Sequence, residues 1–86
     1  MGLVNRVVPH EDLLVSVRDT AREMAELSSP RSLRIMKRQL YEDLFRDLGA
    51  SMSTADREMV ASFGSEDFRE GVASFVKRRP PKFTGR

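Results

Sequence analysis

Few side chains in this 86-residue chain could do chemistry. The single histidine, His10, lies between Pro9 and Glu11 at a helix start. A histidine base needs a nucleophile and an orienting acid held beside it. The spacing supplies neither, so His10 reads as an exposed or capping residue. Glu58, Glu66, Asp67 and Glu70 form an acid-rich group. Two of them could serve as an acid–base pair; the plainer reading is solvated helix faces and helix-start charges. With one His and no Cys, no calcium-loop pattern and no helical histidine pair, the sequence gives no metal site. Five scattered glycines make no phosphate loop. No catalytic residue is assigned. What remains is charge: Lys77, Arg78, Arg79, Lys82 and Arg86 give the last ten residues +5 with no acid, while the first 76 residues carry −3. A basic tail attracts phosphate on nucleic acid, membrane or nucleotide. The competing reading is a solvated helix end whose cations complement the helix dipole.

The elements that must position these residues read as helices. Gly2 to Pro9 forms one short strand or an extended arm, because Leu3, Val4, Val7 and Val8 precede a proline stop. A first helix is predicted from about His10 or Glu11 to Leu27, with Leu13, Leu14, Val17, Ala21, Met24 and Ala25 on one face. Ser29 caps a second helix and Pro30 is its first residue; Leu33, Met36, Leu40, Leu44 and Leu48 carry it to about Leu48. A third helix is predicted over Ser51 to Ser62, capped by Ser51, Ser53 or Thr54 and stopped by Gly64. Ser65 caps the fourth, with Glu66 and Asp67 in its first turn. Phe68, Val72 and Phe75 share its face, and Phe68 and Phe75 are its expected anchors. Gly71 would admit another backbone. The methionines at 24, 36, 52 and 59 read as core filler. Pro80-Pro81 bars continuation past Arg79, leaving residues 80–86 as an extended basic tail, mobile unless docked.

Length and composition bound the rest. Eighty-six residues allow a single helical domain with a thin core. Without cysteine, no disulfide supplements that core; its absence suits a cytoplasmic protein. No apolar run approaches a membrane span, and the N-terminus lacks a secretory apolar region.

Two stretches carry a family resemblance. Asp67-Phe68-Arg69-Glu70-Gly71-Val72, Phe75, Lys77-Arg78-Arg79-Pro80-Pro81 and Phe83-Thr84-Gly85-Arg86 resemble the end of the enoyl-CoA hydratase/isomerase (crotonase) family. Gly2-Leu3-Val4-Asn5, Val7-Val8-Pro9, Leu13, Ser29-Pro30, Lys37 and Leu40 resemble its strand-to-helix turn and following helix. The resemblance implies a small all-α, three- to four-helix orthogonal assembly with a short extended N-terminal segment. It implies the C-terminal part of a larger lyase or isomerase of fatty acyl metabolism. In that family a larger N-terminal spiral domain holds the acyl-CoA thioester, an oxyanion hole of two backbone N–H groups and one or two glutamates. The helical domain caps the active site and builds trimers, often stacked as hexamers. The implied function is oligomerisation and capping, not catalysis. No intrinsic cofactor is implied, and coenzyme A thioester would be the parent's substrate. The implied partners are the spiral domain and sister subunits, with self-association or a marginal monomer when alone. The family's aromatic and basic residues near the CoA adenine and 3′-phosphate fall on Phe75 and Arg78. Phe75 has core packing as its competing reading, and Arg78 a solvated cation. Many members carry lysine at the position of Arg78 and an acid at that of Lys77; arginine keeps the charge but changes the donor geometry.

Two alternatives stand beside this. One is an independent helical protein-interaction module. The other, a basic-tail nucleic-acid binder, would bind with steep salt dependence. The acidic body and the lack of aromatic residues interleaved with the cations disfavour it. The parent's reaction (hydration, isomerisation, dehalogenation or thioester hydrolysis) and its acyl-chain length are not written in these residues.

Overall fold

A computed structural model describes residues 2–86. Residues 2–9 form neither helix nor strand and bend at Leu3 and Asn5, and no strand forms among the described residues. A 3-10 turn over His10–Asp12 leads into helix α1, Leu13–Leu27. Helix α2 spans Pro30–Glu42, α3 Leu48–Phe63 and α4 Glu66–Val76. The all-α reading with four helices therefore holds.

Local chemistry explains most boundaries. Ser29 Oγ accepts from the Ser32 amide at 3.2 Å, and Pro30 takes the first helical position. Ser65 Oγ accepts from the Phe68 amide at 3.1 Å and donates to the Ser62 carbonyl at 2.7 Å. Gly64 closes α3 with ordinary right-handed backbone, φ −88°.

One boundary departs from expectation. The second helix does not reach Leu48; it tightens into a 3-10 turn over Asp43–Phe45 and breaks at Arg46, which is extended. Arg46 folds back onto Glu42 and Asp43, the acids of the preceding turn. Asp47 then caps α3 by accepting from the Ala50 amide at 2.8 Å. The expected caps Ser51, Ser53 and Thr54 lie inside α3. Aspartate satisfies orphan amides as well as serine does, so the apolar stripe runs unbroken through two helices.

Packing is the unusual part. Helix α2 packs on α3 and α3 on α4, whereas α1 chiefly contacts its own 3-10 turn. Among the described residues no apolar side chain is buried; the buried residues are Thr54, Asp67 and Ser74. The accessible surface is 7492 Å², against roughly 5,200 Å² for a compact monomer of this mass. The radius of gyration, 16.3 Å, exceeds the about 12 Å of a compact chain this long. The expected anchor Phe68 meets Phe63 edge to face at 5.3 Å yet stays 43% exposed, and Phe75 is 86% exposed. Neither fills a core. The four stripe methionines are also about half exposed. Gly71 faces the Phe83 ring, with 3.7 Å between a built Cβ and Cε1, and not another backbone.

A buried carboxylate supplies the long-range order. Asp67, 3% exposed, accepts from Ser29 Oγ at 2.6 Å. It also accepts from the Thr84 amide at 2.8 Å and the Gly85 amide at 3.1 Å. Its own amide donates to the Arg86 carbonyl at 3.0 Å. The start of α2, the start of α4 and the tail therefore meet at one side chain. Gly85 has φ +83°, a conformation that favours glycine. Arg34 adds a bond to the Gly85 carbonyl at 3.3 Å. The tail is docked.

Asp67→Ala would take the acceptor from three part-buried donors, Ser29 Oγ and the Thr84 and Gly85 amides. Leaving such groups unpaired costs about 1–3 kcal/mol each at most. Urea denaturation followed by circular dichroism is expected to show a loss of at least about 2 kcal/mol, or no cooperative transition. Asp67→Asn, which keeps an acceptor, is expected to lose less.

Candidate functional site

The clearest concavity is an open groove of about 710 Å³ beside the end of α4. Phe75 and Arg78 both line it, with Leu27, Ser74, Pro81 and Phe83 among the other walls. The docked tail therefore builds one wall, through Pro81 and Phe83, and α4 the other. Phe75 fills no core within this chain: the ring stands at the groove with almost no cover.

The way α4 ends determines where Arg78 stands. Lys77 N–H donates to the Ala73 carbonyl at 3.0 Å, Arg78 N–H to Phe75 at 3.3 Å and Arg79 N–H to Ser74 at 3.1 Å. The last two bonds are those of a Schellman stop. That motif needs a left-handed residue, and Arg78 takes the position with φ 52°. Glycine ordinarily fills it, because a Cβ there crowds the next carbonyl. Here the chain accepts the strain and gains a cation at the groove.

Behind that turn lies an ion pair. Glu70 takes the Arg79 guanidinium in a bidentate grip, Oε1 to Nη1 at 2.5 Å and Oε2 to Nη2 at 3.2 Å. Oε1 also accepts from the Lys82 amide at 3.0 Å. The Arg79 hydrogen bonds first, then the Lys82 amide, hold the Glu70 carboxyl down at about 2. The Asp67 carboxyl balances two opposed effects. Burial pushes it up; hydrogen bonds from Ser29, Thr84, Gly85 and Arg31 pull it further down, below the ordinary value.

The acid-rich group is thus dispersed into separate structural roles. Glu58 pairs with Arg38 at 2.8 Å, Glu66 accepts from Thr84 Oγ1 at 3.2 Å, and Asp67 and Glu70 are engaged as described. Asp67 is buried, contrary to the reading of it as a solvated helix-start charge. Glu66 and Asp67 meet at the Thr84 hydroxyl, 3.2 and 3.4 Å away, inside the tail dock. Among the described residues no group of three or more His, Cys, Asp or Glu side chains converges to hold a metal. His10 lies exposed in its 3-10 turn, far in sequence from the groove lining. The Glu70–Arg79 pair and the Phe83 wall were not expected from sequence. The nine-residue separation of Glu70 and Arg79 straddles a helix end, so no helical spacing rule connects them.

Because Glu70 is depressed in the folded chain, it stabilises fully above its ordinary value near 4.5; that contribution fades as pH falls toward about 2. Thermal unfolding across pH 2 to 6 is expected to show falling stability on the acid side. Glu70→Gln is expected to flatten part of that slope.

Comparison with known proteins gives this geometry its context. A family model for enoyl-CoA hydratase/isomerase matches residues 1–86. A probable enoyl-CoA hydratase of Mycobacterium bovis is 35% identical over 85 residues, covering 99% of this chain and 33% of that protein. Mevalonyl-coenzyme A hydratase of Aspergillus fumigatus is 33% identical over 84 residues, covering 95% and 31%. The crystal structure of a probable enoyl-CoA hydratase/isomerase from Mycobacterium abscessus superposes with a TM-score of 0.89 at 26% identity, over 99% of this chain and 34% of that one. The chain spans about a third of the length of these relatives. No helix among the described residues is long and apolar enough to cross a membrane. On the match of the family model across its whole length, the chain belongs to the enoyl-CoA hydratase/isomerase family.

Proposed function

We propose that this chain is the C-terminal helical part of an acyl-CoA-processing enzyme, serving in subunit assembly and in capping the active site, without catalysis of its own. One observation carries the reading: the helices have formed, yet no apolar side chain among the described residues is buried. Phe45 is 91% exposed, with Leu40, Tyr41, Leu44 and Leu48 exposed around it in sequence. Exposed apolar surface on this scale marks interaction faces. The missing cover fits the spiral domain and sister subunits that the family resemblance implies.

The groove gives this part a second role. Phe75 presents a bare aromatic face, and Arg78 a cation free of ion pairs among the described residues. An adenine ring stacks on the first kind of group, and a 3′-phosphate pairs with the second. The groove is accordingly proposed to take the nucleotide end of coenzyme A, while the thioester chemistry lies on the spiral domain. Coenzyme A is thus part of the substrate and not a resident cofactor.

Assembly is tested by the molar mass of the chain in solution, measured by light scattering behind size exclusion over a concentration series. A dimer or trimer at micromolar concentration is expected. A sharp monomer with high cooperative stability would contradict the assembly reading.

A further inference from the structure

Arg78 is held in a conformation it would not choose. Its φ of 52° lies in the left-handed region, which a non-glycine residue keeps only where its surroundings over-determine it. The Schellman bonds hold the turn through the Arg78 and Arg79 amides. Beyond them, Glu70 holds the chain that follows. That one carboxylate grips the Arg79 side chain through both oxygens and the Lys82 amide through Oε1. Arg79 Nη1 also donates to the Pro80 carbonyl at 3.2 Å. The segment from Arg79 to Lys82 is thereby tied to α4.

The same contacts sort the cations. Both arginines line the groove, but Arg79 is neutralised by Glu70, whereas Arg78 makes no side-chain hydrogen bond or ion pair among the described residues. Two adjacent arginines of equal charge thus have different tasks.

We propose that Glu70 is a positioning residue for Arg78: by clamping Arg79 and the Lys82 backbone, it fixes the left-handed turn that delivers the Arg78 cation to the groove. This rests on the reading of the groove as a phosphate site. Glu70 touches no ligand and acts through its neighbours. Its loss should therefore change discrimination for a phosphate, and not general nucleotide affinity.

The test uses the whole chain, titrated calorimetrically at low salt with coenzyme A and with dephospho-coenzyme A, which lacks the 3′-phosphate. The wild-type chain, Glu70→Gln, Arg78→Gly and the double variant are compared. Backbone chemical shifts and amide–Hα couplings report the conformation of residue 78. The wild-type chain is expected to prefer coenzyme A several-fold. Glu70→Gln should bring that preference toward unity while Arg78 leaves the left-handed region and helix content is kept. Arg78→Gly should lose the preference with the turn intact, and adding Glu70→Gln to it should change the ratio no further. Retention of the preference in Glu70→Gln overturns the proposal, as does an equal loss of affinity for both nucleotides. If the wild-type chain shows no preference, the phosphate reading of the groove fails. The positioning claim is then decided by the backbone alone: Arg78 still left-handed in Glu70→Gln overturns it.

Discussion

Two separated stretches of chain must reach the Asp67 carboxylate at the start of a third, and each brings a donor to it. Ser29 arrives from the cap of α2, Thr84 and Gly85 from the tail, and Asp67 itself opens α4. A buried carboxylate is costly unless its lone pairs are filled; here Ser29 Oγ and the Thr84 and Gly85 amides donate to it, with the Thr84 hydroxyl 3.4 Å away. Ser29 does two jobs with one oxygen, accepting from Ser32 and donating to Asp67. The cap of one helix and the first turn of another are thus set by the same contact. Because the tail docks there, Pro81 and Phe83 become a wall of the Phe75–Arg78 groove. The groove follows from the clamp.

The contrast between polar order and apolar exposure organises the molecule. Side-chain caps hold α2, α3 and α4 and the tail clamp is made, while the apolar stripes of α1, α2 and α3 have little cover. Hydrophobic burial ordinarily dominates folding free energy. In this chain polar contacts carry the order, while the apolar faces stay largely open. On the proposed assembly reading, the other parts of the enzyme cover those faces. The one local rule broken among the non-glycine residues described, the left-handed backbone of Arg78, is broken beside the groove.

How much of this was legible depended on range. The helices and the caps at Ser29 and Ser65 follow from residues within a turn of each other, and sequence displays them; α4 stops at Val76, ahead of Pro80-Pro81, in a Schellman turn that no glycine marks. The break at Arg46 was hidden because Asp47 caps without glycine or proline to mark it, and the leucine stripe runs through it at helical spacing. Asp67 could be read as an acid at a helix start but not as a buried hub, since its Ser29 partner lies 38 residues away. Phe75 fell on an apolar face, which sequence equates with a core. That inference assumes every stripe finds a partner within the chain, and here it does not. Phe75 and Arg78 were named from family likeness; the fold brings them to one groove, but the Glu70–Arg79 grip behind them crosses a helix end that no periodicity spans.

The clamp is the claim on which the rest depends, and residue-resolved amide hydrogen exchange tests it most directly. Thr84 and Gly85 lie outside any helix, so only the Asp67 contact protects their amides. The account predicts that these two amides exchange as slowly as those in the body of α4. Exchange at the rate of a free tail, with α4 still protected, would contradict it.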